Sequence, residues 1–195
     1  MLLEFYTKTV IPSEYGNKII SKLAIKKEFS SQVNEWVNSN LQGEWVGVHY
    51  RGGDHAIFIN RFMEKESYIA YLKEVLDDRC NIFACSDQMQ FIEQIKEAFP
   101  DRVFCRKIIR SYDSRPLHMD KEYCGTEQTK DALTDILILS KAKLIYTTGS
   151  WFVDVVRFFN PSVKIVSLSR FSYHQKIDNF IPTPKAHLIN IENKE

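Results

Sequence analysis

From residue 44 to residue 168, short apolar runs alternate with amphipathic ones, and this alternation limits the chain to very few folds. Residues 44–51, 81–85, 102–105, 143–147 and 163–168 read as strands. Residues 64–77, 88–99, 129–141 and 151–159 read as helices, because their apolar positions recur near every third or fourth residue. A strand–helix alternation of this kind predicts a doubly wound parallel sheet in a three-layer α/β domain. Strands of such a sheet are covered on both faces, which accounts for an unbroken apolar run such as Ile82-Phe83-Ala84-Cys85.

The flanks have a different texture. Residues 1–43 are polar and helical, with Pro12-Ser13-Glu14 able to open one helix and residues 25–37 forming a second. In that second helix Ala24, Phe29, Val33 and Val37 fall near helical spacing, and Asn38-Ser39-Asn40 with Gly43 breaks it. From Arg170 the chain is irregular and carries Pro182 and Pro184. The expected organisation is an N-terminal helical segment at 1–43, one domain at 44–169, and a tail at 170–195.

Several function classes lose their support at once. Lys and Arg number 26 against 25 Asp and Glu, a net charge of +1, so no global field recruits nucleic acid or an anionic membrane. No run of about 18 apolar residues is present to span a bilayer. The start, Met1-Leu2-Leu3-Glu4-Phe5, lacks the basic and apolar regions of a secretory signal. Cys80, Cys85, Cys105 and Cys124 make no CxxC pair and no zinc-type cluster, so reduced thiols and a cytoplasmic location are expected. There is no Walker loop, GxGxxG, HExxH or GxSxG, which argues against NTPases, Rossmann dehydrogenases, zincins and α/β-hydrolases.

Four places carry candidate chemistry. In the segment Trp45 to Asp54, strand alternation puts Val46, Val48 and Tyr50 on one face and Gly47, His49 and Arg51 on the other. His49 and Arg51 then fall at the C-terminal end of the strand, the edge where open α/β sheets bind ligands. Arg51 offers a guanidinium fork to phosphate, and Gly52 and Gly53 allow close backbone approach; an ion-paired Arg beside a packed His is the structural alternative. At Thr147-Thr148-Gly149-Ser150, Ser150 suits both a helix cap and a phosphate cradle at a helix N-terminus. Asp135 lies in Ala132–Leu139, a helix apolar nearly all round, so its carboxylate must find a partner or face a polar cavity. Ser86-Asp87 reads mainly as capping, with Asp87 and Gln90 at capping-box spacing. Residues 106–128 show no clear element but carry Arg106, Lys107, Arg110, Arg115 and His118, a set that suits an anionic ligand and equally a solvated basic loop.

Taken in order, His49-Tyr50-Arg51-Gly52-Gly53-Asp54, Phe83-Ala84-Cys85-Ser86-Asp87, Ala132 to Ala142, and Thr147-Thr148-Gly149-Ser150 resemble the donor-binding half of the α1,6-/O-fucosyltransferase superfamily. The resemblance covers roughly residues 45–167. It implies a Rossmann-like fold, the C-terminal lobe of a two-lobe GT-B glycosyltransferase, with GDP-β-L-fucose as donor and no metal cofactor. It places His49 and Asp135 at the guanine and ribose, Arg51 at the pyrophosphate and Ser150 at the phosphate-side turn; Gly52, Gly53 and Thr148 complete the set of donor-binding candidates. The sugar would be transferred to a glycan acceptor with inversion, Arg51 stabilising the leaving diphosphate and a carboxylate activating the acceptor hydroxyl. Two positions depart from the pattern. Gly52 stands where several relatives carry a second arginine, and Ala56-Ile57-Phe58-Ile59-Asn60 has no acid, leaving Asp54, Glu64 or Glu66 as the base. Residues 1–43 are too few for an acceptor lobe, which leaves a fragment, a lobe that works with a partner lobe or a second copy, or a reduced relative; a non-catalytic nucleotide- or glycan-binding module is the alternative function.

Overall fold

The computed structural model describes residues 25–52, 64–112, 117, 125–168 and 189–190. The elements run α1 (Lys27–Asn40), β1 (Trp45–Tyr50), α2 (Lys65–Val75), β2 (Asn81–Ser86), α3 (Met89–Ala98), β3 (Val103–Phe104), α4 (Thr126–Leu139), β4 (Leu144–Thr147), α5 (Trp151–Phe159), β5 (Lys164–Ser167) and β6 (Ile189–Asn190). The sheet order is β3-β2-β1-β4-β5-β6. Strands β1 to β5 pair in parallel, as the alternation predicts. Two residues of the stretch expected to be an irregular tail add β6, antiparallel to β5, with Ser167 opposite Ile189.

Side-chain alternation divides the core into two layers. Val46, Val48, Tyr50, Ile82 and Ala84 point to the face covered by α2 and α3, where Tyr68, Leu72, Phe91, Ile92 and Ile95 are buried. Phe83, Cys85, Ile145 and Ile165 point to the opposite face, covered by Val33 and Val37 of α1, Ile138 and Leu139 of α4, and Val153 and Val156 of α5. Gly47 lies on that second face because α4 leaves no room for a side chain. A Cβ there would lie 2.6 Å from Leu139 Cδ2 and 3.1 Å from Ile145 Cγ1.

Two helix boundaries differ from expectation by three residues, each for a tertiary or local reason. Helix α1 runs through Asn38-Ser39-Asn40 and stops only at Leu41, whose N–H donates to the Val37 carbonyl at 2.8 Å. Leu41 is itself buried in the core, and that burial holds the last turn against the weak propensity of Asn and Ser. Helix α4 starts at Thr126 instead of residue 129. Its first turn, Thr126-Glu127-Gln128, is polar and shows no apolar periodicity, and Gly125 supplies the positive φ of 77° that sets the entry. The segment after β3 is also anchored. Ser111 N–H donates to the Asp87 carbonyl, and the Ser111 carbonyl accepts from Met89 N–H, each at 2.9 Å.

The strand order reverses between β1 and β4. From β1 the chain winds outward through β2 and β3, then crosses back to β4 and winds the other way. This topological switch point opens a crevice at the C-terminal ends of β1 and β4.

Candidate functional site

Parallel register carries His49, Cys85 and Thr147 to one level of the sheet, since His49 pairs with Cys85 on β2 and with Thr147 on β4. All three lie on the α4/α5 face at the C-terminal edge. His49 is buried, its Nδ1 3.0 Å from Thr147 Oγ1, and its ring stacks on Phe152 with centroids 5.2 Å apart. Thr147 Oγ1 also accepts from Gly149 N–H at 3.1 Å, so one hydroxyl fixes both the imidazole and the turn into α5. A cavity of about 340 Å³ opens here, within the usual size range of ligand pockets. Strand ends contribute His49, Arg51, Cys85, Ser86 and Asp87; the segment after β3 contributes Ile108, Ile109 and Leu117; α4 contributes Gln128, Thr129, Asp131, Ala132 and Asp135; α5 contributes Phe152.

Asp135 finds both the partner and the cavity that an apolar helix demands of it. Its Oδ1 accepts from Arg106 Nη1 at 3.1 Å, and its Oδ2 accepts from the Cys85 thiol at 3.4 Å. Arg106 is clamped by α4 itself. Nη1 donates to the Asp131 carbonyl at 2.8 Å and Nη2 to the Asp131 carboxylate. Burial pushes the Asp135 carboxyl above the usual carboxylate range, with Arg106 and the Cys85 thiol pulling the other way. Burial and then the neighbouring Asp135 push the Cys85 thiol well up, so it stays protonated and acts as a donor, not as a nucleophile.

Arg51 leaves β1 into the same cavity, its Nη1 3.7 Å from Asp87 Oδ2. Asp87 was expected to cap the following helix and does not. Its Oδ1 accepts from Gly52 N–H at 2.8 Å, while Gln88 is the N-cap and has no side-chain cap. Gln90, the other half of the expected capping box, donates to the Tyr112 carbonyl instead. The reason is lateral. Asp87 directly follows β2, which pairs with β1, so its carboxylate reaches sideways to the Gly52 N–H after Arg51 instead of forward to its own helix.

The remaining candidates fall around this centre. Thr148 is fully buried and its hydroxyl accepts from Arg51 N–H at 3.3 Å. Ser150 caps α5, accepting from Phe152 N–H at 3.2 Å, and Gly149 before it has a φ of 91°. Gly52 lies against Gln88, whose Cδ would be 2.1 Å from an added Cβ. Neither Thr148, Ser150 nor Gly52 lines the cavity. Gly53 and Asp54 lie outside the described residues. Glu64 and Glu66 flank the start of α2 and do not line the cavity; Glu66 accepts from Gln94 Nε2 at 3.2 Å on the α3 side. With burial as the larger cause, Glu64, Glu66 and Asp87 hold the Tyr50 phenol up to about 12. Among the described residues no group of three or more His, Cys, Asp and Glu is placed to hold a metal ion, and no helix is long and apolar enough to cross a membrane.

No protein-family model and no curated protein matches the sequence. Solved structures do match its shape. A crystal structure of NodZ α-1,6-fucosyltransferase soaked with GDP-fucose superposes with a TM-score of 0.53 at 19% identity, covering 77% of this chain and 47% of that one. The selenomethionine structure of fucosyltransferase NodZ from Bradyrhizobium gives a TM-score of 0.52 at 19% identity, with the same coverage of both chains. The parallel sheet with its flanking helices is therefore a fucosyltransferase-like fold. The chain spans about half the length of these structures.

Proposed function

We propose that this chain is the donor-binding lobe of a fucosyltransferase-like glycosyltransferase and that its cavity takes GDP-fucose. The observation that carries the reading is the meeting of a buried carboxylate, Asp135, with a strand-end guanidinium, Arg51, in one cavity at the switch point. A guanine base presents two adjacent N–H donors. Each Asp135 oxygen accepts one hydrogen bond within the protein and retains a lone pair for one of them. His49, held by Thr147 and stacked on Phe152, borders the ribose end of such a ligand. Arg51 meets the diphosphate, and its charge opposes the charge that grows on GDP as the leaving group departs. Phe152 lines the cavity, which brings the N-terminal, positive end of α5 beside the phosphate side. A guanidinium serving as the diphosphate counter-charge makes a metal unnecessary.

Transfer would invert the anomeric carbon, with Asp54 the carboxylate nearest in sequence to Arg51 for activating the acceptor hydroxyl. A second reading, a binding module without transferase activity, is favoured by one observation: neither Glu64 nor Glu66 lines the cavity. Thermal shift against GDP, UDP and ADP tests nucleotide choice in both readings. GDP should stabilise the fold, by about 2.7 kcal/mol at 100 times its Kd. UDP should not, and chelators should leave the GDP shift unchanged. Equal shifts from all three nucleotides, or a strict need for a divalent cation, would overturn the proposal.

A further inference from the structure

Asp131 and Asp135 line the cavity, and behind them Arg106 is clamped between the two carboxylates, a contact that nucleotide binding does not itself require. We propose that Arg106 is a positioning residue for base recognition, holding Asp135 ionised and in one orientation so that it can accept two donors from the base. The inference rests on the GDP reading above.

Asp131 and Asp135 stand one helical turn apart on α4, and two carboxylates at that spacing repel. Arg106 lies between them, 16% exposed, spending Nη1 on the Asp131 carbonyl and on Asp135 Oδ1 and Nη2 on the Asp131 carboxylate. The Asp131 contacts fix the guanidinium plane, and that plane fixes Asp135. The state of Asp135 matters because a protonated carboxyl offers one acceptor oxygen and one O–H donor, a poor match to two adjacent N–H groups. Burial drives Asp135 towards that protonated state. The groups opposing it come from each element packed around the carboxylate. Arg106 and Arg110 act from the segment after β3, and the Cys85 thiol donates from β2, whereas Asp131 on α4 adds a like charge. His49 and Arg51 border the same cavity from β1. Arg106 is the cation in direct contact.

The test compares GDP and ADP binding by wild type, Arg106→Gln and Arg106→Lys, measured by calorimetry from mildly acidic to alkaline pH. In Arg106→Gln the Asp135 carboxyl loses its contacting cation and titrates at higher pH. GDP affinity should then fall about tenfold for each pH unit below that point and recover on the alkaline side. ADP binding, which draws on the phosphate contacts, should change little. Arg106→Lys keeps the charge and should stay close to the wild-type pH profile. Should Arg106→Gln fail to fold, Asp131→Asn frees the far end of the guanidinium while removing a like charge beside Asp135, so GDP affinity should fall with no shift of its pH profile to higher pH, and ADP affinity should hold. A folded Arg106→Gln with the wild-type pH profile, or an equal, pH-independent loss of both nucleotides, would make Arg106 a structural tie and overturn the inference. Wild type that fails to prefer GDP over ADP would instead defeat the GDP reading, and the inference with it.

Discussion

Asp135 is held in a cavity wall by a helix that gives its carboxylate almost no water, and its ionisation costs stability. Its pKa in the fold lies above the ordinary value, so the folded state binds more protons than the unfolded chain between those two values. This group's contribution therefore falls as pH rises through that window and is most favourable on the acid side. Arg106 does not fully offset the cost, as is common for buried ion pairs. Denaturant unfolding across pH should show Asp135→Asn gaining on wild type as pH rises through the window, while GDP binding is lost. Wild type gaining on the variant instead would reverse the sign of this argument. Arg51 contrasts with Asp135 in being 28% exposed at the cavity wall, where a ligand can reach its guanidinium. Arg51→Ala should weaken GDP by roughly 1.5–3 kcal/mol, the scale of a charge-assisted contact, with little change in melting temperature. Unchanged affinity in calorimetry would leave Arg51 with a structural role.

At the scale of elements, the alternation of side chains along β1 was legible before any coordinates, and with it the shared face of Gly47, His49 and Arg51. Register was not legible. Nothing in the sequence says that His49 is level with Cys85 and Thr147, so Thr147 reads only as the start of a phosphate-side turn and Cys85 as a core thiol. Local capping rules failed at Asp87 because they consider only the helix that follows, while a strand end also has lateral neighbours. Asp135 was legible because a carboxylate inside the apolar run Ala132–Leu139 breaks a local rule, and such breaks mark functional sites. Its partner Arg106 was noticed only as one of several loop cations, since its reach to α4 depends on how the segment after β3 folds back. Gly47 lies at the closest approach of β1 and α4 and offers a test of that packing. Gly47→Val must displace Leu139 and Ile145, both fully buried. It should cost about 1–3 kcal/mol in denaturant unfolding, the usual range for overpacking. A variant as stable as wild type would mean that α4 can retreat from the sheet.

For the whole molecule, the proportions of the match bear on what the chain does by itself. It covers less than half of the NodZ structures, and its described residues form one sheet with two core layers. On the proposed reading that part holds the nucleotide, while the sugar at the far end of the diphosphate points out of the cavity. Group transfer needs the acceptor oxygen held close to the anomeric carbon with water excluded, and in a two-lobe enzyme the cleft between the lobes provides both. Ile109, which lines the cavity mouth, is 52% exposed, an apolar rim of the kind a covering surface would bury. The 195-residue chain should therefore bind GDP and yet show no detectable fucose transfer. The measurement is a mass-spectrometric assay of purified chain with GDP-fucose and a panel of glycan acceptors, with the oligomeric state established in parallel. Turnover by a demonstrated monomer would mean that this chain builds an acceptor site of its own. Turnover confined to an associated form would mean that the second copy completes the cleft.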